Sequence, residues 1–252
     1  MRYDITNIGG PRGSFPTTIW TVIEGLDKLS SEEYRTALNF LIERYWKPVY
    51  MYVRRRGYDN ERAKDLVQDF FLRWIGKELF GRANRERGRF RSYMLTALRN
   101  FLSNAHRADM AAFRRPPGGI VSVEDLITED GPVFEIKDEE TPERAFEREW
   151  SAELLRRVLK RLEEEWSDSG KEVHLDLFRR WIIEPSLFGV EPPPLSELAE
   201  VHGLKMHDAS NRVTTAKRAF KRLLRQEISL CASSDEEVDQ EMAELLPGID
   251  RE

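Results

Sequence analysis

From Tyr34 to Val53 apolar side chains return every three or four residues: Tyr34, Ala37, Leu38, Leu41, Ile42, Tyr45, Trp46, Val49, Tyr50 and Val53. An α-helix, turning once in about 3.6 residues, is the regular structure that gathers such a series onto one face. The period recurs in Ala63, Leu66, Val67, Phe70, Phe71, Trp74 and Ile75, then in Met94, Ala97, Leu98, Phe101, Leu102 and Ala105. Three amphipathic helices of this kind can close one core. A fourth stripe, Phe146, Trp150, Leu154, Val158, Leu162 and Trp166, comes after a long break. The expected fold class is therefore all-α.

The punctuation between these series is that of helix ends. Ser30 with Glu33 forms a capping-box pattern, Gly57 is a stop, Asp59 or Asn60 can cap the second helix, and Thr141 before Pro142 opens another. Pro48 is expected to bend or restart the first long helix, and the helix marked by Leu177, Phe178, Trp181 and Ile182 to end before Pro185. Upstream, Thr17 or Thr18 caps a short helix bearing Ile19, Val22, Ile23 and Leu26. From Asp109 to Thr141 the periodicity fails and a breaker cluster, Arg114 to Gly119, appears, with a short extended piece at Ile120 to Val123. With 252 residues the chain exceeds a typical single domain. The expected organisation is a mobile start over 1–16, one helical domain over 17–108, a connector over 109–140, a second domain over 141–230 and an acidic tail over 231–252.

Charge narrows the function. The net charge is −5, yet nine arginines stand between Arg82 and Arg115 against Glu86 and Asp109, and seven basic residues between Lys205 and Arg225 against Asp208. The compensating acids lie in Glu129 to Glu149 and from Asp235 onward. Such segregation leaves cationic faces suited to nucleic acid despite a negative sum. No run approaches the roughly 20 apolar residues that cross a bilayer, no secretory signal is visible, and a single cysteine, Cys231, forms no internal disulfide. A cytoplasmic location is expected.

Residues 195–224 parse as a helix from about Ser196 to Val201, a turn at His202 to Lys205, and a longer helix from about His207 to Leu224. Leu198, Ala199, Leu204, Ala209 and Val213 fall where two steeply crossing helices interlock, and Gly203 supplies the left-handed turn residue. That is a helix-turn-helix. Its second helix carries Ser210, Asn211, Thr214 and Lys217 on one side, with Arg212, Arg218, Lys221, Arg222 and Arg225 close by. Short polar side chains and cations of this kind contact base edges and phosphates when a helix enters the major groove. A two-helix corner with a solvated basic face is the alternative.

The stretch GLKMHDASNRVTTAKRAFKRL resembles region four of extracytoplasmic-function sigma factors. DLVQDFFLRWI (Asp65 to Ile75) is similar to the core-binding helix of region two, and RFRSYMLTALRNFLSNAHR (Arg89 to Arg107) to the segment that melts and captures the minus-ten element. YWKPVYMYVRRRG and RGRFRSY resemble the long sigma-like proteins of planctomycete-type bacteria. Asp208 and Ser210 stand where many relatives carry an uncharged residue and a lysine.

The resemblance implies a sigma factor that joins core RNA polymerase and recognises promoter DNA, with a winged-helix-like C-terminal domain, no catalytic residues, no metal and no cofactor. An anti-sigma factor is a further partner it allows. Asp65, Gln68, Asp69 and Arg73 would dock on the polymerase clamp. Arg89, Phe90, Arg91, Tyr93, Arg99, Asn100, Ser103, Asn104 and Arg107 would hold the melted minus-ten strand. Lys205, His207, Ser210, Asn211, Arg212, Thr214, Lys217 and Arg218 would read the minus-thirty-five duplex. Three open alternatives attach to these residues: a solvated Asp65 stripe with Asp69 paired to Arg73, a core position for Phe90, and acidic segments that are solvated disorder instead of screens for the basic surfaces.

Two rival functions carry other expectations. A DNA-binding regulator that never joins polymerase leaves the Asp65 stripe and the arginine loop unexplained. A metal-dependent nuclease would need His106 with Asp109, or His202 with His207, as ligands, and neither spacing sets two donors one helical turn apart beside a third.

Overall fold

In the computed structural model, residues 19–20, 30–75, 88–113 and 140–245 are described. The fold is all-α, with no strand among the described residues. The expected mobile start, the cap at Thr17 or Thr18, the apolar positions Val22, Ile23 and Leu26, and the extended piece at Ile120 to Val123 lie outside these residues. The chain divides into two compact units. One is Leu38–Glu149; the other comprises the described residues up to Ala37 together with those from Trp150 onward.

Helix α1 runs from Ser31 to Arg55, α2 from Asn60 to Ile75, α3 from Phe90 to Phe113 and α4 from Pro142 to Trp166. The capping box forms as its residue types require. The Ser30 N–H donates to Glu33 Oε2 at 2.8 Å and the Glu33 N–H to Ser30 Oγ at 3.3 Å. Asp59 is the cap of α2, its Oδ1 accepting from the Arg62 N–H at 2.7 Å. Thr141 Oγ1 caps α4 by accepting from the Arg144 N–H at 3.2 Å. Pro48 neither ends nor restarts α1, which is one uninterrupted helix.

The core of the Leu38–Glu149 unit is an aromatic cluster. Tyr45, Phe70, Trp74 and Phe90 are fully buried, and Trp74 lies 6.3 Å from Phe70 and 5.9 Å from Phe90, centroid to centroid. Phe101 closes on Phe70 at 5.5 Å. Phe146, on the first turns of α4, is also fully buried and lies 6.5 Å from Tyr45. Glu140 to Glu149 packs with this unit, and Phe146 lies in its core. Trp46, expected on the apolar face of α1, is 44% exposed; Phe40 and Tyr52 are buried in the core of this unit.

In the other unit, α5 (Glu172–Phe178) is followed by a π-helical turn (Arg179–Ile183) and α6 (Glu184–Phe188). The expected stop before Pro185 does not occur. A proline inside a helix lacks an N–H and crowds the carbonyl four residues back, and here the turn before it widens: the Glu184 N–H reaches the Arg179 carbonyl, five residues away. Helix α7 (Leu195–Val201), α8 (Met206–Ser229) and α9 (Asp235–Leu245) complete the described chain. Phe178 on α5 packs 5.1 Å from Phe220 on α8, both fully buried. Ile19 and Trp20 are buried, and the Ile19 N–H donates to the Leu230 carbonyl at 2.8 Å.

The segment expected to be an acidic tail contains α9. Its acids hid an apolar edge, Val238 and Met242, that packs in the core with Glu237 and Glu241 buried beside it. Ser234 Oγ accepts from the Glu237 N–H at 3.3 Å, and Glu237 Oε2 accepts from the Ser233 N–H at 2.8 Å, a second set of N-terminal caps.

Candidate nucleic-acid interfaces

On α2 the buried residues Ala63, Leu66, Val67, Phe70, Phe71 and Trp74 form one face, which leaves Asp65, Gln68 and Asp69 exposed on the other. Leu72, 51% exposed, extends the same stripe, three residues beyond Asp69 and seven beyond Asp65. Sequence reasoning passed over it, although its position in that spacing is a usable signal. Arg73 sits at the edge of the stripe, half-buried, its guanidinium 5.0 Å from the centre of the Phe101 ring.

Helix α3 divides the expected strand-binding residues. Phe90 is 1% exposed, in contact with Tyr45, Trp74 and Tyr93, so it is a core residue and presents no ring to an unstacked base. Tyr93 is half-buried, edge-on to Trp74 at 5.9 Å. Asn100, Ser103, Asn104 and Arg107 are exposed, one helical turn apart or adjacent, and Arg107 Nε donates to the Ser103 carbonyl at 3.2 Å. Arg89, at the start of α3, is partly exposed.

Arg91 and Arg99 of α3, and Arg55 of α1, meet acids just before and at the start of α4. Arg91 lies 3.2 Å from Glu147, Arg99 3.0 Å from Glu143, and Arg55 on α1 3.2 Å from Glu140. The Tyr52 hydroxyl donates to Glu143 at 3.2 Å. Partial burial pushes the Glu143 carboxyl up, but hydrogen bonds from its own backbone, Arg99 and Tyr52 outweigh that and hold it below the usual carboxylate range. Burial, followed by the neighbouring carboxylate, raises the Tyr52 hydroxyl above its ordinary value, with Arg99 opposing.

In the C-terminal part, α7 and α8 are joined by a turn in which Gly203 takes φ +63°, the left-handed region that a residue with Cβ rarely adopts. Leu198, Ala199, Ala209 and Val213 are buried where the two helices meet, while Leu204 is partly exposed. The buried stripe of α8, Ala209, Val213, Ala216, Phe220, Leu223 and Leu224, fixes its orientation. Its outer face therefore presents His207, Asn211, Thr214 and Arg218, with Lys205 exposed just before it and Ser210 exposed at its side.

Arg212 and Lys217 occupy the two flanks of α8, each partly exposed. Arg212 is near enough to His174 on α5 that its charge, after burial, lowers the imidazole below its ordinary value. Further along, Arg222 pairs with Glu165 at 2.6 Å and Arg225 with Asp239 at 2.5 Å.

His202 and His207 are placed within protein contacts, while His106 is exposed on α3. His202 Nε2 is 2.8 Å from Asp176 and His207 Nε2 2.9 Å from Asn211 Nδ2. Among the described residues no group of three or more His, Cys, Asp and Glu is arranged to hold a metal ion, and no helix is long and apolar enough to cross a membrane.

Neither the search of curated proteins nor that of solved structures returned a match. A family model does match: over residues 41–111, from within α1 to within α3, the chain is similar to Sigma-70 region 2.

Proposed function

We propose that this chain is a sigma factor of the extracytoplasmic-function type, which joins core RNA polymerase and directs it to promoters from the cytoplasm. The match of residues 41–111 to Sigma-70 region 2 carries the reading. In that frame the exposed stripe Asp65, Gln68, Asp69 and Leu72 docks on the polymerase, with Arg73 at its edge. The exposed polar face of α3, Asn100, Ser103, Asn104 and Arg107, flanked by Arg89, Arg91, Tyr93 and Arg99, takes the opened minus-ten strand. A basic track with polar side chains suits a single strand, because phosphates meet cations while unstacked bases lie against polar and aromatic groups.

The α7–α8 pair acts as the helix-turn-helix of region four. What supports this is geometric. A left-handed glycine turn joins a short helix to a long one whose outer face carries His207, Asn211, Thr214 and Arg218, with Ser210 and Lys205 adjacent. Asn and Arg suit adenine and guanine edges in the major groove, and lysines suit phosphates. Arg212 and Lys217 on the flanks would reach backbone phosphates instead of bases.

The experiment that tests the proposal is capture of the purified full chain by purified core polymerase. Co-elution in a stoichiometric complex supports it. Binding to duplex DNA without affinity for core would favour a regulator that works apart from polymerase.

A further inference from the structure

Glutamates just before and within the first turns of α4 lie across two cations that the proposed reading assigns to DNA, Arg91 and Arg99, and across Arg55 of α1. Glu140, Glu143 and Glu147 each hold one arginine of the Leu38–Glu149 unit, on α1 or α3: Arg55, Arg99 and Arg91 respectively. Two of these arginines are well covered, Arg55 with its side chain 15% exposed and Arg91 with 11%. The segment is seated by an apolar anchor as well as by charge. Ala145 and Phe146 are fully buried, and Phe146 stacks on Tyr45. Arg148 adds a tie within the segment, 3.0 Å from Glu140.

We infer that Glu140–Glu149 is a built-in acidic occupant of this cationic face, which competes with the phosphates of a single strand for Arg91 and Arg99. Glu143 and Glu147 are four residues apart, so their carboxylates sit side by side on one face of α4. They face α3 as a pair of neighbouring anionic groups, which is also what a DNA backbone offers. A strand that takes Arg91 and Arg99 must lift the glutamates away, and in doing so it weakens the hold on Glu140–Glu149. The contacts span 44 residues for Arg99 with Glu143 and 91 for Tyr52 with Glu143, so they are tertiary and not local helix pairs. The inference rests on the strand-binding reading of α3.

The test uses the full chain and a short fluorescein-labelled single-stranded DNA, read by anisotropy at low salt. The triple variant Glu140→Gln, Glu143→Gln, Glu147→Gln keeps the shape of the side chains and removes their charge. It is expected to bind the oligonucleotide about tenfold more tightly than the natural sequence, with the gap closing as salt screens both competitors. In the natural protein, amide exchange over 140–149 is expected to quicken when the oligonucleotide is added, a readout independent of whether the variant folds. Equal affinity of the two forms, or exchange over 140–149 that slows or stays unchanged on binding, overturns the occupant and leaves strand binding in place. Failure of both forms to bind the oligonucleotide overturns the strand-binding reading and the occupant with it.

Discussion

Replacing Asp65 and Asp69 together by alanine separates docking from folding. Both carboxylates are exposed on α2, and the energy that holds α2 comes from the opposite face, where Leu66, Phe70 and Trp74 are almost wholly buried. The folded state therefore loses no core contact. Alanine is the better helix former by up to about 0.7 kcal/mol per site, so stability should stay level or rise slightly. Docking is another matter. A carboxylate hydrogen-bonded to a cationic partner in an interface contributes about 1.5 kcal/mol or more, so the double variant should lose about 3 kcal/mol, roughly a hundredfold in affinity for core polymerase. The assay is biolayer interferometry against immobilised core, paired with a thermal melt of the free protein. Unchanged affinity would return the stripe to an ordinary solvated face. A lowered melting temperature would refute the reasoning that the two residues stand apart from the core.

Other perturbations address the remaining surfaces. Arg218→Ala, on the outer face of α8, should weaken binding to a cognate promoter duplex by about 1 to 3 kcal/mol if the arginine meets a base, measured by anisotropy; equal affinity would remove it from the interface. Gly203→Ala adds a Cβ that meets nothing within 4 Å, so its cost should be the left-handed strain alone, about 1 to 2 kcal/mol, seen as a lower denaturation midpoint. A larger loss would point to a clash that the geometry does not contain. Glu143 is held below the ordinary carboxylate value, so its contribution to the folded state is fully present above about pH 4.3 and lost as pH falls through the lower folded value. A carboxyl-carbon NMR titration should place its midpoint below that of an exposed glutamate, and a midpoint at or above it would contradict the contacts from Arg99 and Tyr52.

What could be read in advance was local. The periods behind α1, α2 and α3, the caps at Ser30 and Asp59, and the turn at Gly203 each depend on residues within a few positions of one another, and each appears where its pattern placed it. What escaped depends on partners distant in the chain. Phe90 looked equally fit for a base pocket or a core until Tyr45 and Trp74 closed around it. Glu140 read as the end of the connector, and Glu143 and Glu147 as helix positions of the second domain, since nothing local says that they will meet Arg55, Arg99 and Arg91. Helix α9 was hidden because six of its eleven residues are acidic in the stretch Asp235–Leu245, and only Val238 and Met242 mark the buried edge. At Pro185 a local rule gave way to packing: Ile182, Ile183 and Pro185 are all buried, so the helix widens into a π turn and continues.

The most direct test of the central claim is transcription reconstituted from purified parts. Core polymerase, which alone starts without selectivity, is mixed with this chain and with genomic DNA fragments from its source, and the RNA 5′ ends are mapped. A sigma factor will produce discrete start sites that require the chain, preceded by shared sequence elements at the minus-ten and minus-thirty-five positions. An unchanged scatter of starts, with no complex formed between the chain and core, would contradict it.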